Sequence, residues 1–221
     1  AQQTGFTHIS ADRLDAMLEE EFGPAHESPE KVWPQMAASI LLRLATDSHL
    51  VIGVDGAELL FPQFPALLRV RVVAPVNRRV GNLMLDDRLD RPAARAQLDA
   101  REKAIKDSRK RRFGRATPTP DSFDPTLNPS TRDGAPIASA IAAAATAQSL
   151  RDIGLLSKAA EAQQQFALRL RLSQEGVQPR GLAHLKGVQF GHPSEEIFAN
   201  LLDFYRVAWE YEPKRFPIAR D

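Results

Sequence analysis

Apolar residues recur at steps of three and four along two segments near the start of the chain, 10–22 and 32–46. This spacing predicts two amphipathic helices. Continuous runs of branched apolar residues follow at 49–54 and 67–73, and they predict two strands that are buried on both faces. Helices before and after buried strands are typical of a three-layer α/β domain with a parallel sheet.

The predicted strand ends mark where a ligand is expected. In a parallel α/β sheet the ligand lies at the carboxyl ends of the strands. Those ends are 53–57 and 74–79 in this sequence. We therefore expect binding residues in and next to these two segments.

The middle of the chain is polar and mostly helical. A helical pattern extends over 78–112 with one break near Pro92, a residue that suits the first turn of a new helix. Residues 118–133 contain four prolines and predict a loop with at most a short strand near 123–127. The alanine-rich residues 135–148 predict the next helix.

The last third of the chain predicts a helical connector and a small α+β piece. Residues 158–174 predict a helix whose apolar stripe contains Phe166 and Leu170, with Gln163 in line with them and Leu168 and Leu172 nearby. A linker with glycine and proline follows over 176–192.

After this linker the pattern predicts one more helix, over 194–205, and two short strands at 207–211 and 215–218. This piece is too small to close a core alone. The sequence therefore suggests three segments, which are a first domain at 1–150, the connector at 151–189 and a fragment of a second domain at 190–221.

The composition of the 221 residues suits a folded protein, because 43% are hydrophobic and 26% are charged. The chain has no cysteine, which excludes disulfides and thiolate metal sites, and its five histidines show no metal-ligand spacing. The alanine-rich stretch 137–147 is too short to cross a bilayer, and 1–13 lacks the pattern of a secretory signal. The sequence predicts a cytoplasmic protein without a membrane partner.

The formal net charge of +1 conceals a strong segregation of charge. Residues 1–68 carry 3 basic and 10 acidic side chains, whereas 69–115 carry 15 basic and 6 acidic ones. Residues 116–221 are nearly balanced, with 11 basic and 12 acidic side chains. The middle segment therefore suits an anionic ligand, although a solvated helix face explains such a segment equally well.

Four motifs occur in a fixed order: LRVRVVAP at 68–75, NRR at 77–79, RKRRFG at 109–114 and FDPTLN at 123–128. Together they resemble the cytidylate kinase-like family of nucleoside monophosphate kinases, over about 5–148. The resemblance implies a P-loop kinase-like fold that transfers a phosphoryl group from ATP to CMP or a similar nucleotide, with Mg²⁺ bridging the phosphates. An arginine-rich lid suits this chemistry because guanidinium groups bind phosphate oxygens in pairs.

The resemblance also implies roles for individual residues. Four basic residues would neutralise charge on the phosphates during catalysis: Arg79, Lys103, Arg109 and Arg112. Three residues near the strand ends would lie in the nucleotide-binding region: Asp12, Arg13 and Asp55. For Asp12 and Arg13 an ordinary helix start is an equally good interpretation.

Two features depart from the family pattern. The sequence contains no glycine-rich phosphate loop, so the first strand and the phosphate loop are expected to be missing from these residues. The family has an arginine after its core strand, where this chain has Asp55, and an aspartate repels phosphate. Kinase activity is therefore left open, and the alternative is a non-catalytic nucleotide- or anion-binding regulatory scaffold, including a homo-oligomeric one.

The C-terminal segment carries a second resemblance. Residues 190–218 resemble the opening helix and strand of a restriction-endonuclease-like domain, in which Glu195 or Glu196 would support a metal site. The alternative is that these acidic residues only complement the positive end of the helix dipole. Combined with the basic stretch 101–115, the resemblance suggests a third hypothesis, a protein that binds or processes nucleic acid.

Overall fold

A computed structural model describes residues 4–25, 28–62, 64, 66–128, 134–177, 179, 184–185, 188–204 and 207–211. The helices are α1 Ala11–Phe22, α2 Trp33–Ala45, α3 Val76–Asp86, α4 Arg91–Phe113, α5 Ala135–Ala147, α6 Lys158–Gln174 and α7 Pro193–Phe204. The strands are β1 Thr7–Ser10, β2 Leu50–Gly53, β3 Arg71–Val72, β4 Thr126–Leu127, β5 His184–Leu185 and β6 Val188–Gln189. Three short 3-10 helices cover Glu30–Val32, Ala57–Leu59 and Pro120–Ser122.

The chain forms two compact units. Unit 1 comprises Ala1–Leu14 and Asp47–Leu155, and unit 2 comprises Asp15–Thr46 and Leu156–Asp221. Each unit therefore combines residues that are far apart in the sequence. The segment boundaries predicted at 150 and 189 stay a prediction.

Unit 1 contains two parallel strand pairs and the packed helices α3 and α4. Strand β1 pairs with β2 in parallel, from Thr7 beside Leu50 to Ser10 beside Gly53. Strand β3 pairs with β4 in the same sense. The predicted α/β class and the parallel sense of the strands are confirmed.

The predicted break near Pro92 separates the two helices of unit 1, because α3 ends at Asp86 and α4 begins at Arg91. Asp90 caps α4 by accepting a hydrogen bond at 2.8 Å from the N–H of Ala93, and Pro92 occupies the first turn. Val80 of α3 packs in a buried cluster with Ala94 and Leu98 of α4. The first half of α4 is therefore anchored by an apolar core and its second half is not.

One strand prediction needs correction, and one strand of unit 1 was not predicted. The strand predicted at 67–73 is reduced to Arg71–Val72, and Val72 is exposed. Strand β1 was not predicted, because four residues of THIS are too short a run to show alternation. Its one fully buried residue is Ile9.

Unit 2 is helical around α2 and α6. Ser39 Oγ donates to Gln165 Oε1 at 2.7 Å, and Gln165 Nε2 donates back to the Ser39 carbonyl at 2.8 Å, so two buried polar side chains satisfy each other. The predicted bounds of α6 are confirmed, but its predicted stripe is wrong. Gln163 and Leu170 are exposed, and Gln165 and Leu172 are buried instead.

The C-terminal part of unit 2 confirms one predicted helix and corrects its surroundings. The predicted linker contains the antiparallel pair β5–β6. Residues 207–210 form no strand, although Trp209 and Tyr211 pack on the ring of the buried Phe190. The strand predicted at 215–218 lies outside the described residues.

Glu195 closes the first turn of α7. Its Oε2 accepts the N–H of His192 at 2.9 Å, which is the capping arrangement expected when glutamate lies three residues after the helix cap. The same oxygen accepts the hydroxyl of Tyr211 at 2.9 Å, and that hydroxyl accepts the N–H of Gly191. Glu195 therefore joins the helix start to the aromatic cluster. Its role as a metal ligand stays a prediction, and the side chain of Glu196 lies outside the described residues.

Replacing Glu195 with glutamine is expected to make the stability of unit 2 depend less on pH in the acidic range. The hydroxyl of Tyr211, followed by the N–H of His192, holds the pKa of Glu195 below its ordinary value. A depressed folded pKa stabilises above the ordinary glutamate pKa of about 4.3, and this stabilisation is lost as the pH falls through the folded value. Thermal unfolding between pH 7 and pH 3, followed by tryptophan fluorescence, measures the effect. Parallel pH profiles for the wild type and E195Q would contradict it, with E20Q as the exposed control.

No helix among the described residues is both long enough and apolar enough to span a membrane.

Candidate functional site

The carboxyl ends of β1 and β2 lie side by side in unit 1. Ser10, the last residue of β1, is level with Gly53, the last residue of β2. Ser10 Oγ also accepts the N–H of Arg13 at 3.3 Å, so the same residue ends the strand and caps α1. A helix start and the loop after β2 therefore meet where a parallel sheet places its ligand.

The loop after β2 is joined to the end of α4 by a buried arginine. Arg109 Nη1 donates to Asp55 Oδ1 at 3.1 Å, and Arg109 Nη2 donates to Glu58 Oε1 at 2.6 Å. The side chain of Arg109 is 3% exposed and that of Glu58 is 8% exposed, whereas that of Asp55 is 47% exposed. We call these three residues the Arg109 cluster. It joins positions more than 50 residues apart in the sequence.

The electrostatics of the cluster follow from burial and from the two carboxylates. Burial lowers the pKa of Arg109, but the hydrogen bonds and charges of Glu58 and Asp55 outweigh it, so the pKa lies above its ordinary value. Burial raises the pKa of Asp55, and Glu58 adds to this, against the attraction of Arg109 and Arg112. Asp55 therefore holds its proton to a higher pH than an exposed aspartate does.

A glycine lets α4 approach this loop. Gly56 is buried with φ at +85°, a conformation that glycine adopts at little cost. A Cβ at Gly56 would overlap the ring of Phe113 and would lie 2.7 Å from its Cζ. The last turn of α4 therefore contacts the loop through a ring placed on a glycine, next to the Arg109 cluster.

Arg69 fixes the same loop from the other side. Its guanidinium donates to the carbonyls of Glu58, at 3.3 Å, and Phe61, at 2.5 Å. Its backbone N–H donates to Asp124 Oδ2 at 2.6 Å, just before β4. Glu58 is thus held by Arg69 through its backbone and by Arg109 through its side chain.

Arg79 lies where the second strand end was predicted, in the first turns of α3. Its Nε donates to the carbonyl of Ala74 at 3.0 Å, and its Nη1 is ion-paired with Glu102 of α4. The side chain of Arg79 is 37% exposed, in contrast to that of Arg109. Arg79 is therefore open to a ligand that competes with Glu102.

Three of the four predicted catalytic residues meet at one face of α4. Arg109 and Arg112 lie on this face, and Arg79 of α3 is ion-paired with Glu102 on the same face. Glu102, Arg109 and Arg112 follow at steps of seven and three, which places them on the same side of a helix. Through Glu102 this face holds Arg79, and through Arg109 it holds the loop after β2. Lys103 is exposed and lies about 120° around the helix from Arg109. Its predicted role beside the phosphates stays a prediction.

The two predicted acceptor-binding residues lie at the start of α1. Asp12 is exposed in the first turn. Arg13 is also exposed, and its Nη1 donates to the carbonyl of His8 at 3.1 Å. Both are next to the strand end at Gly53, and their nucleotide-binding role also stays a prediction.

The carboxylates of this region do not fit a protein-held metal ion. Asp55 and Glu58 are bound to Arg109, and Glu102 is bound to Arg79. Among the described residues no group of three acidic or histidine side chains could hold a metal. Mg²⁺ would have to come with the phosphates of a nucleotide.

Sequence patterns missed Glu58, Glu102 and the contact between Gly56 and Phe113. Glu102 lies 23 residues from Arg79 and Glu58 lies 51 residues from Arg109, separations that no local pattern reports. A signal was present for Gly56, because an Asp-Gly pair after a strand is typical of a tight turn. The heptad-like spacing of Glu102 and Arg109 also placed both on one helix face.

The chain is similar to known proteins in its fold and in its sequence. A crystal structure of an uncharacterized protein from Eubacterium ventriosum ATCC 27560 has a TM-score of 0.55 and 13% identity, covering 66% of this chain and 87% of that chain. This similarity shows the fold alone. No curated protein matches the sequence significantly. The model of the cytidylate kinase-like family matches residues 5–131, more than half of the 221 residues, and with its order of strands and arginines the chain belongs to the cytidylate kinase-like family.

Proposed function

We propose that unit 1 binds a nucleoside monophosphate, CMP or a similar nucleotide, at the carboxyl ends of its parallel strands. The observation that carries this proposal is the single face of α4 that holds Arg109, Arg112 and the Arg79–Glu102 pair against these strand ends. Arginine is the residue best suited to such a site, because its planar fork binds two phosphate oxygens at once.

The arginines have different tasks in this proposal. Arg79 is half-buried and held by one carboxylate, so a phosphate dianion competes with Glu102 for it. Arg109 is almost fully buried between two carboxylates, so it positions the end of α4 and does not contact the nucleotide. Arg112, one turn further on, extends this face toward the ligand. Asp12 and Arg13 complete the site at the start of α1.

Nucleotide binding is the part of the kinase reaction that these residues support. Phosphoryl transfer from ATP also needs a glycine-rich loop whose N–H groups surround the phosphates, and residues 1–221 contain no such loop. A three-layer P-loop arrangement belongs to the same proposal. A glycine-rich loop, together with this nucleotide site, would make the protein a nucleoside monophosphate kinase that uses ATP and Mg²⁺.

A regulatory, non-catalytic scaffold is the second candidate. It is favoured by the ion pairs, because Asp55, Glu58 and Glu102 neutralise arginines that a kinase would turn toward phosphate. The two candidates share the CMP site and differ in turnover. A coupled assay for CMP-dependent release of ADP from ATP and Mg²⁺ separates them.

Replacing Arg79 with alanine is expected to weaken CMP binding by more than about 1 kcal/mol, a factor of five or more, because it removes a charge-assisted hydrogen bond to phosphate. Isothermal titration of the 221-residue chain with CMP measures this change. R95A is the matched control, since Arg95 is an exposed arginine paired only with its helix neighbour Asp99. Equal affinities for the wild type and R79A would return Arg79 to a purely structural role.

A further inference from the structure

Three lysines of α4 form a stripe on its exposed side. Lys103, Lys106 and Lys110 follow at steps of three and four, so they lie within about 60° of one another around the helix and span roughly 10 Å along it. All three are exposed, and none forms an ion pair with a described residue. We call these three residues the lysine stripe. It lies on the side of α4 away from the buried Ala94 and Leu98.

The stripe differs from the other charges of this helix. Arg95 is paired with Asp99, Arg101 with Asp87, and Arg109 with two carboxylates. The negative end of the helix dipole accounts for a lysine in the last turn, but its effect is lost beyond that turn. Lys103 and Lys106 lie further from the end of α4 than one turn. Carboxylates therefore compensate Arg95, Arg101 and Arg109, whereas the three lysines form no ion pair with a described residue.

A second copy of the chain is the first rival for this surface. Helix α1 carries an exposed acidic stripe at the same steps of three and four, namely Asp12, Asp15 and Glu19. Three exposed ion pairs, however, contribute less free energy than the association of two proteins costs. A membrane surface is also disfavoured, because the face around the lysines carries Asp99 and Asp107, and the ring of the neighbouring Phe113 is packed against Gly56 and cannot insert.

A phosphate polymer suits the stripe better. Each lysine that contacts a backbone phosphate releases a condensed counterion, and this gain adds up along a row of charges. Lysine binds phosphate as a point charge, without the geometric demands of arginine. Phe113 follows Lys110 by three residues, but its ring packs against Gly56 and is not presented to an unpaired base, so a duplex is favoured over a single strand.

We propose that the lysine stripe of α4 binds the backbone phosphates of a nucleic-acid duplex without regard to sequence. Three neutralised phosphates give a slope of about −2.7 in a plot of log affinity against log salt concentration. Between 50 and 200 mM salt this slope corresponds to a loss of affinity of about 40-fold. The binding is weak and electrostatic, and it uses residues of α4 that lie beside the face holding Glu102 and Arg109, with Lys106 about 60° and Lys103 about 120° around the helix from Arg109.

Fluorescence anisotropy of a labelled 20-base-pair DNA duplex, titrated with the whole chain over this salt range, tests the proposal. The triple variant K103Q/K106Q/K110Q is expected to lower the affinity at 50 mM salt at least 10-fold and to reduce the slope by about 2.7. Glutamine preserves helix propensity, and an unchanged thermal midpoint shows that the variant folds. No binding by the wild type, or equal binding by the variant, overturns the proposal.

A charge-matched control separates the stripe from the overall charge. Adding D15N, E19Q and E20Q, all at exposed positions of α1, to the triple variant restores the net charge of the wild type without restoring the stripe. Binding that stays lost in this sextuple variant supports the stripe, and binding that returns overturns it. Salt-sensitive self-association of the wild type in sedimentation, abolished by either set of substitutions, would assign the stripe to a second copy and also overturns the proposal.

Discussion

Replacing Arg109 with methionine is expected to lower the free energy of unfolding by about 3 kcal/mol, because it leaves two carboxylates without their cation. Glu58 is 8% exposed and cannot regain water without moving the loop after β2. Urea unfolding followed by far-UV circular dichroism measures the loss. Tryptophan fluorescence is not suitable for unit 1, because both tryptophans, Trp33 and Trp209, belong to unit 2.

Two further variants make this prediction specific. R101M removes an exposed arginine from the same helix, where the pair with Asp87 contributes at most about 1 kcal/mol. Adding D55N and E58Q to R109M is expected to recover part of the lost stability, because no uncompensated charge remains. Equal losses for R109M and R101M would show that the Arg109 cluster does not anchor α4.

Replacing Gly56 with alanine is expected to cost about 2–5 kcal/mol, from two sources. A non-glycine residue at positive φ costs about 1–2 kcal/mol, and the new methyl group must displace the ring of Phe113 at a further cost of about 1–3 kcal/mol. The same unfolding experiment measures both together. CMP affinity is expected to fall as well, because the loop that carries Asp55 and Glu58 shifts relative to α4.

Gly114 provides the matched control for the ring contact. It has a similar φ of +71°, but no atom lies within 4 Å of the Cβ position. G114A therefore reports the backbone cost alone, and G56A adds the clash. Equal costs for the two substitutions would mean that the contact between Gly56 and Phe113 does not matter for stability.

The helices of this protein were largely predictable, because their apolar spacing, Pro92 and the alanine-rich run are local signals. Contacts between distant residues were not. Leu170 fits an apolar stripe by spacing but is 45% exposed, whereas Gln165 is buried because Ser39 of α2 satisfies its amide. Burial of a polar residue depends on its partner, which the local sequence does not reveal.

The candidate site shows the same division. The order of motifs was enough to place Arg79, Arg109 and Arg112 near the strand ends, and the structure brings them to one face of α4. Their acidic partners were not predictable. Asp55, which stands where the family has an arginine, is a partner of Arg109. A family pattern gives the positions of the arginines in the sequence. An ion pair between distant residues is visible only when both side chains are placed in the structure.

The most direct test of the CMP site is amide hydrogen exchange of the whole chain with and without CMP. The proposed function predicts slower exchange in peptides that cover 10–14, 53–59, 74–80 and the last turns of α4, with no change in α6. It also predicts that R79A reduces this protection at a CMP concentration that half-saturates the wild type. Unchanged exchange in all peptides at millimolar CMP, or protection confined to unit 2, would contradict nucleotide binding at the strand ends of unit 1.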